Sequence, residues 1–156
     1  MRRANIADPE FSWDESDPEG FRAALFRPGP DMGAAETGLS VYELPPGQAI
    51  CPYHYEYGED EWLLVLAGRP SVRTPEGTDE LEPWDVVFFP KGPDGAHQVM
   101  NDADEPARVV MWSTIVTPSA TAYPDSDKIA VWTGIREENV MVKRSSSVGY
   151  YDGETA

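Results

Sequence analysis

The sequence predicts a single all-β domain, built as a sandwich or a barrel. Fifteen prolines and thirteen glycines interrupt the 156 residues at short intervals. The segments between them are rich in β-branched and aromatic residues, which favour strands. Many short strands separated by turn signals are typical of sandwiches and barrels. No amphipathic pattern is long enough for a helix of about ten residues or more, so we expect little helix.

Nine segments in the middle of the chain fit this strand pattern. We predict strands at residues 38–44, 48–55, 62–67, 71–74, 78–81, 86–89, 97–100, 107–115 and 129–133. Turn-forming sequences rich in proline, glycine, asparagine and aspartate separate them. The polar residues 117–128 are expected to form a long loop.

The two ends of the chain differ from this middle part. Residues 1–35 are rich in proline, glycine and aspartate, and we expect an N-terminal arm with one strand at 21–26. Residues 36–133 form the predicted barrel. Residues 134–156 are predicted to hold a C-terminal strand at 139–143, followed by a polar tail.

Charge and composition exclude several classes of partner. The chain has 28 acidic and 12 basic residues, a net charge of −16, so it repels nucleic-acid phosphates and anionic membrane surfaces. It has no apolar run of about 18 residues that could span a bilayer. Arg2 and Arg3 are not followed by an apolar segment, so we predict no signal peptide and a cytoplasmic location. A single cysteine excludes an internal disulfide.

Four side chains indicate a metal site. His54 and Glu56 are two residues apart, so on an extended chain they leave the same face. Glu61 follows a short polar turn and begins an apolar run. The second of the chain's two histidines, His97, lies beyond another turn rich in glycine and proline. Imidazoles and carboxylates that converge from neighbouring strands can bind a divalent metal.

These residues resemble the two sequence motifs of the cupin superfamily, in particular its small single-domain bacterial members. The first motif is matched by Gly47, His54, Glu61 and Gly68, with six rather than five residues after Gly47. The second is matched by Pro90, Gly92, His97 and Asn101, with a four-residue insertion before His97 and Trp84 in place of the leading glycine. The resemblance implies a double-stranded β-helix, or jelly-roll barrel, with its site at the open end, and a homodimer.

The resemblance also implies which residues bind metal, with one departure. The second histidine of the first motif is Glu56 in this chain. With His54, Glu56, Glu61 and His97 all pointing inward, the set suits iron, manganese, nickel or zinc. Without metal, two facing carboxylates repel, and a protonated Glu56 is then a candidate catalytic acid or base. Both roles for Glu56, ligand and proton carrier, are open from the sequence, as is the loss of the metal.

Cupins serve many functions on one barrel, so the fold does not select an activity. The residues favour a metal-binding cupin that acts on a small polar metabolite, in an isomerase- or oxygenase-type reaction with a divalent metal as Lewis acid. The alternative is a non-catalytic cupin that binds a small molecule or carbohydrate, with or without metal.

Overall fold

The computed structural model describes residues 1–155 and confirms the all-β fold. In this part of the chain one four-residue α-helix, α1 (Gly29–Met32), accompanies twelve strands and several 3-10 turns. The strands are β1 (Ala24–Phe26), β2 (Thr37–Leu44), β3 (Tyr55–Glu56), β4 (Glu61–Ala67), β5 (Ser71–Thr74), β6 (Gly77–Glu80), β7 (Val86–Phe89), β8 (Gln98–Met100), β9 (Ala107–Thr114), β10 (Ser119–Tyr123), β11 (Lys128–Trp132) and β12 (Val140–Lys143). None of the helices within residues 1–155 has the length and apolarity that a membrane crossing requires.

The first layer is a five-stranded antiparallel sheet in the order β1-β2-β9-β4-β7. Its long central strands pair over their whole length, from Thr37 opposite Thr114 to Leu44 opposite Ala107. Alternate residues point to the interior, since side chains on a strand leave opposite faces in turn. Four predicted strands of this layer match β2, β4, β7 and β9 to within about a residue at each end, whereas β1 begins three residues later than the predicted strand at 21–26.

The second layer consists of two smaller sheets, in the orders β6-β5-β8 and β12-β11-β10-β3. A single antiparallel bridge between His54 and His97 joins them. The His54 amide donates to the His97 carbonyl at 3.1 Å, and the His97 amide donates to the His54 carbonyl at 2.8 Å. The bridge makes the two sheets continuous at one point, opposite the five-stranded sheet.

The main hydrophobic core lies between these layers. Its fully buried side chains come from both of them: Leu63, Val65, Val72, Phe89, Val99 and Val109. A second buried cluster, of Tyr53, Tyr55, Ala96 and Ala122, lies beside the histidine bridge. Two facing antiparallel layers whose neighbours include strands distant in sequence, such as β2 beside β9 and β3 beside β10, form the jelly roll that the resemblance implied.

Two predictions about the second layer are wrong. Residues 48–55 do not form one strand, because only Tyr55 and Glu56 lie in a ladder and Ala49 and His54 make isolated bridges. Pro52 interrupts this segment, since proline has no amide to donate. Residues 117–128 are not one long loop, because they contain β10, a 3-10 turn at Pro124–Ser126 and the first residue of β11. The small residues Thr121 and Ala122 of β10 are buried where this strand pairs with β3 and β11.

Both ends of the chain contribute edge strands. β1 pairs with β2 in the first layer, and β12 pairs with β11 in the second. The division into two arms and a barrel stays a prediction, as does the homodimer. Large aromatic side chains, Trp62 and Phe88, are 37% and 45% exposed on the outer face of the first layer.

Candidate metal centre

The backbone bridge between the two halves of the second layer brings the two histidines together. Residues directly opposite each other in an antiparallel bridge project from the same face. The His54 and His97 ring centroids are accordingly 4.7 Å apart, and both side chains are buried. The chain's two histidines are 43 positions apart in sequence yet share one wall of the interior.

Backbone carbonyls fix the tautomer of both rings. The His54 Nδ1 lies 3.0 Å from the Pro52 carbonyl oxygen, and the His97 Nδ1 lies 2.9 Å from that of Gly95. A carbonyl can only accept, so in each ring Nδ1 carries the hydrogen and Nε2 carries the lone pair. Histidines that bind metal through Nε2 commonly donate their other ring N–H to a carbonyl oxygen in this way.

The His97 Nε2 atom is buried and has no hydrogen-bond partner within the described residues. An unsatisfied buried polar atom costs free energy. A metal ion would satisfy this lone pair, so the orphaned nitrogen fits the ligand role that the sequence predicts for His97.

Glu61 completes a three-residue cluster. It is the first residue of β4, and its Oε2 lies 3.8 Å from the His54 Nε2 and 3.7 Å from the His97 Nε2. All three possible ligand atoms lie within 4.8 Å of one another. Zinc with ligands at about 2.1 Å in a tetrahedron separates those ligands by about 3.4 Å. A small inward movement would therefore let the three atoms bind one divalent ion.

Burial shifts the proton affinities of this cluster. It lowers the pKa of His97 to about 3, with a further contribution from His54, and it lowers the pKa of His54. It raises the pKa of Glu61 to about 7, and the Glu56 charge adds to the effect. At neutral pH both imidazoles are therefore neutral, the form that binds metal, and Glu61 is poised between its two protonation states.

Aromatic rings hold the two imidazoles in place. The Phe89 ring stacks on His97 with centroids 3.7 Å apart and planes 8° apart. The Tyr123 ring lies 6.0 Å from that of His54 at an angle of 26°. His54 is 8% exposed and His97 1%, and His54 lines the neighbouring cavities while His97 does not, so the site opens on the His54 side.

Glu56 lies beside this cluster with a different set of contacts. Its Oε1 is 3.9 Å from the His54 Nε2, but it is not among the three residues whose ligand atoms converge. The Thr121 hydroxyl lies 2.9 Å and 2.7 Å from its two oxygens and donates to the carboxylate. Trp132 Nε1 donates to the same hydroxyl at 2.7 Å. Burial raises the pKa of Glu56 to about 7, against the lowering effect of Thr121. A ligand role for Glu56 stays a prediction.

Sequence reasoning missed the residues that support Glu56. Thr121 and Tyr123 lie on β10, which was predicted to be a loop, and Trp132 lies on β11. Thr121 is 65 positions from Glu56, so no local spacing could relate them. The alternating sequence of residues 119–123 was the available strand signal, but its small residues made that signal weak.

Two cavities open onto this cluster. The first has a volume of about 400 Å³, and its wall includes His54 and Glu61. The second has a volume of about 670 Å³, and its wall includes Glu56, Thr121 and Tyr123. These volumes are typical of sites for small molecules.

The described residues thus form a two-layered jelly roll with a His-Glu-His cluster between its layers. The sequence matches the family model described as the cupin domain over residues 40–113. Residues 40–113, the middle of the chain, are thus a cupin domain. No curated protein matches the sequence.

Solved structures share this fold along the length of the chain. A protein from Silicibacter pomeroyi, described as a sugar phosphate isomerase from a cupin superfamily, is similar with a TM-score of 0.81 and 21% identity, covering 97% of this chain and 98% of its own. A candidate sugar phosphate isomerase from Acidithiobacillus ferrooxidans gives a TM-score of 0.76 at 22% identity, covering 83% and 81%. The polyketide cyclase RemF from Streptomyces resistomycificus gives 0.60 at 21% identity, covering 73% and 79%. At these identities the likeness shows the fold.

Proposed function

We propose that this cupin binds a divalent transition metal through His54, Glu61 and His97 and isomerises a small polyhydroxy carbonyl compound, with Glu56 carrying the proton. The observation that carries the proposal is the buried, unpartnered His97 Nε2, which faces Glu61 at 3.7 Å. A bound ion would act as a Lewis acid toward a carbonyl oxygen of the substrate.

Glu56 is suited to moving a proton because of its surroundings. A general base is most effective when its pKa lies near the working pH, and burial raises the pKa of Glu56 to about 7. Its carboxylate would take a proton from the hydroxyl-bearing carbon next to the carbonyl and return it to the former carbonyl carbon. The hydroxyl proton passes to the former carbonyl oxygen, so that the substrate gains and loses no atom. The Thr121 hydroxyl orients the carboxylate during both transfers.

The choice of isomerisation over oxygenation has two supports. Two proteins of similar fold are described as sugar phosphate isomerases. The second carboxylate of the site is held by a hydroxyl donor and has a pKa near neutrality, which suits repeated proton transfer. An isomerase of this kind needs no co-substrate.

The test combines metal content with hydrogen exchange. Protein purified without chelator is expected to contain a stoichiometric divalent transition metal. In D₂O it is expected to incorporate deuterium next to the carbonyl of small hydroxyaldehydes and hydroxyketones, followed by NMR. The Glu56→Gln variant is expected to keep the metal and lose the exchange.

Three results would contradict this proposal. Absence of metal after reconstitution would favour a metal-free binding protein. Oxygen consumption without deuterium exchange would indicate an oxygenase. Loss of metal together with exchange in the Glu56→Gln variant would make Glu56 a ligand rather than the proton carrier.

A further inference from the structure

One arginine lies in the walls of both cavities at the candidate metal centre. Arg27 follows β1 and is an exposed residue of the N-terminal segment. The two cavities have four wall residues in common, namely Arg27, Cys51, His54 and Ile115. They are therefore adjoining parts of one site, and Arg27 and His54 are its shared polar residues.

Arg27 has no acidic partner within residues 1–155. Other arginines of the chain are paired with carboxylates: Arg22 with Glu19, Arg69 with Glu80 and Glu82, Arg73 with Asp125, and Arg108 with Glu43. The Arg27 Nε donates to the Ser40 hydroxyl at 3.4 Å, and the Tyr42 hydroxyl lies near the guanidinium. These are neutral groups, so the positive charge of Arg27 is not neutralised by a carboxylate. Arg136 in the wall of the larger cavity likewise has no acidic partner within residues 1–155, but it does not line the smaller cavity.

The charges around the smaller cavity favour an anion. Arg27 is the one positively charged side chain of its wall and Glu61 the one acidic side chain, and the rest is formed by the neutral imidazole of His54 together with hydroxyl-bearing and apolar residues. With a divalent ion bound to Glu61, this wall carries a net positive charge. An anionic ligand would thus be attracted into a cavity on the surface of an acidic protein.

We propose that Arg27 binds the oxyanion group, a phosphate or a carboxylate, of the small polyhydroxy carbonyl substrate. A planar guanidinium without a carboxylate partner can bind such a group through two parallel hydrogen bonds. The oxyanion at Arg27 directs the carbonyl end of the ligand toward His54 and Glu56. This inference rests on the proposed function and narrows its substrate class to anionic metabolites.

The proposal is tested by comparing charged and neutral probes. Calorimetry on the metal-loaded protein would use ribose 5-phosphate, gluconate and ribose. At least one of the two anionic probes is expected to bind about tenfold or more tightly than ribose, because its oxyanion accepts charge-assisted hydrogen bonds from Arg27. The Arg27→Gln variant is expected to bind all three probes with similar affinity. The anionic probe that binds more tightly identifies the natural oxyanion group as a phosphate or a carboxylate.

Two matched variants control for the loss of one positive charge. Arg22→Gln removes an arginine of the same segment that is paired with Glu19 and lines neither cavity. Arg136→Gln removes the other arginine of the larger cavity. Both are expected to keep the preference for the anionic probe. Equal loss in either control, or an unchanged preference in Arg27→Gln, would overturn the proposal. Because Arg27 is exposed, its variant should keep the wild-type melting temperature, and Arg27→Lys provides a second variant that retains the charge.

Failure of this inference can be told apart from failure of the proposed function. If the protein holds no metal, the proposed function fails, and the metal-free protein can still show whether ribose 5-phosphate is preferred over ribose through Arg27. If metal binding and hydrogen exchange are present but the anionic probes show no preference, the role of Arg27 alone is wrong.

Discussion

The end of β3 and the start of β4 each place one carboxylate beside His54, and the two groups have different surroundings. Glu61 faces two imidazole nitrogens at 3.7–3.8 Å and has no hydrogen-bond donor within the described residues. Glu56 accepts from the Thr121 hydroxyl, which in turn accepts from Trp132. Burial raises both pKa values to about 7. A shared pKa therefore does not imply a shared role, and the neighbouring donors and lone pairs are what distinguish a ligand from a proton carrier.

The largest expected difference between the two carboxylates is in metal affinity. Glu61→Gln is expected to weaken metal binding by more than about 100-fold, since it replaces an anionic ligand by a neutral amide. Glu56→Gln should change the affinity less, at the low end of the range of about 10- to 100-fold that is usual for residues beside the ligands. Competition with a chromophoric chelator measures both. Equal losses would remove the distinction and make Glu56 a fourth ligand.

The next difference concerns the stability of the metal-free protein. The pKa of Glu61 is raised from 4.5 to about 7. Below about pH 4.5 Glu61 is protonated in both the folded and the unfolded chain, and its contribution to the stability of the fold is fully present. This stability is lost as the pH rises through about 7. With about 1.4 kcal/mol per pKa unit, the cost at pH 8 is on the order of 3 kcal/mol. In the presence of EDTA, Glu61→Gln should thus be more stable than the wild type at pH 8 and equal to it near pH 4.

Denaturant unfolding at several pH values would measure this gap, the difference in free energy of unfolding between Glu61→Gln and the wild type. Glu76→Gln, at an exposed carboxylate in the turn between β5 and β6, controls for the loss of one negative charge. In Glu56→Gln the gap should be smaller, because the substitution also perturbs the hydrogen bond with Thr121. A gap that is constant with pH would contradict the raised pKa of Glu61.

Metal affinity should follow the ionisation of Glu61. Below pH 7 the apparent affinity is expected to fall about tenfold per pH unit, because a proton must leave the carboxylate before it can bind a cation. The two imidazoles add little, since burial already lowers their pKa values. This dependence of the apparent metal affinity on pH should persist in Glu56→Gln. If the affinity of that variant no longer depends on pH, the proton that competes with the metal resides on Glu56 instead.

A smaller effect is expected at Thr121. Thr121→Val removes the donor that lowers the pKa of Glu56, so the acidic limb of the pH–rate profile should move upward by about one unit. Thr121→Ser keeps the hydroxyl and should keep the profile. A shift of equal size in both variants would show that packing on β10, rather than the hydroxyl, determines the pH at which the acidic limb of the profile lies.

The sequence indicated much of the fold and the main cluster, for identifiable reasons. The first-layer strands carry clear alternation, and His54, Glu61 and His97 fall on motif positions that resemble the cupin pattern. The second layer was harder, because β3 and β10 are paired by contacts between distant segments and have little local signal. Thr121 was missed with β10, and the separation of roles between Glu56 and Glu61 depends on that missed strand.

The single backbone bridge between His54 and His97 has a consequence for local opening of the fold. The same two residues that join the halves of the second layer would also bind the ion. Any fluctuation that separates the halves must then break metal–nitrogen contacts as well as two amide hydrogen bonds. Since a ligand that binds only the closed form suppresses opening, the His54 and His97 amide hydrogens would exchange with solvent much more slowly in the loaded protein. The bound metal would thereby also hold the two halves of the second layer together.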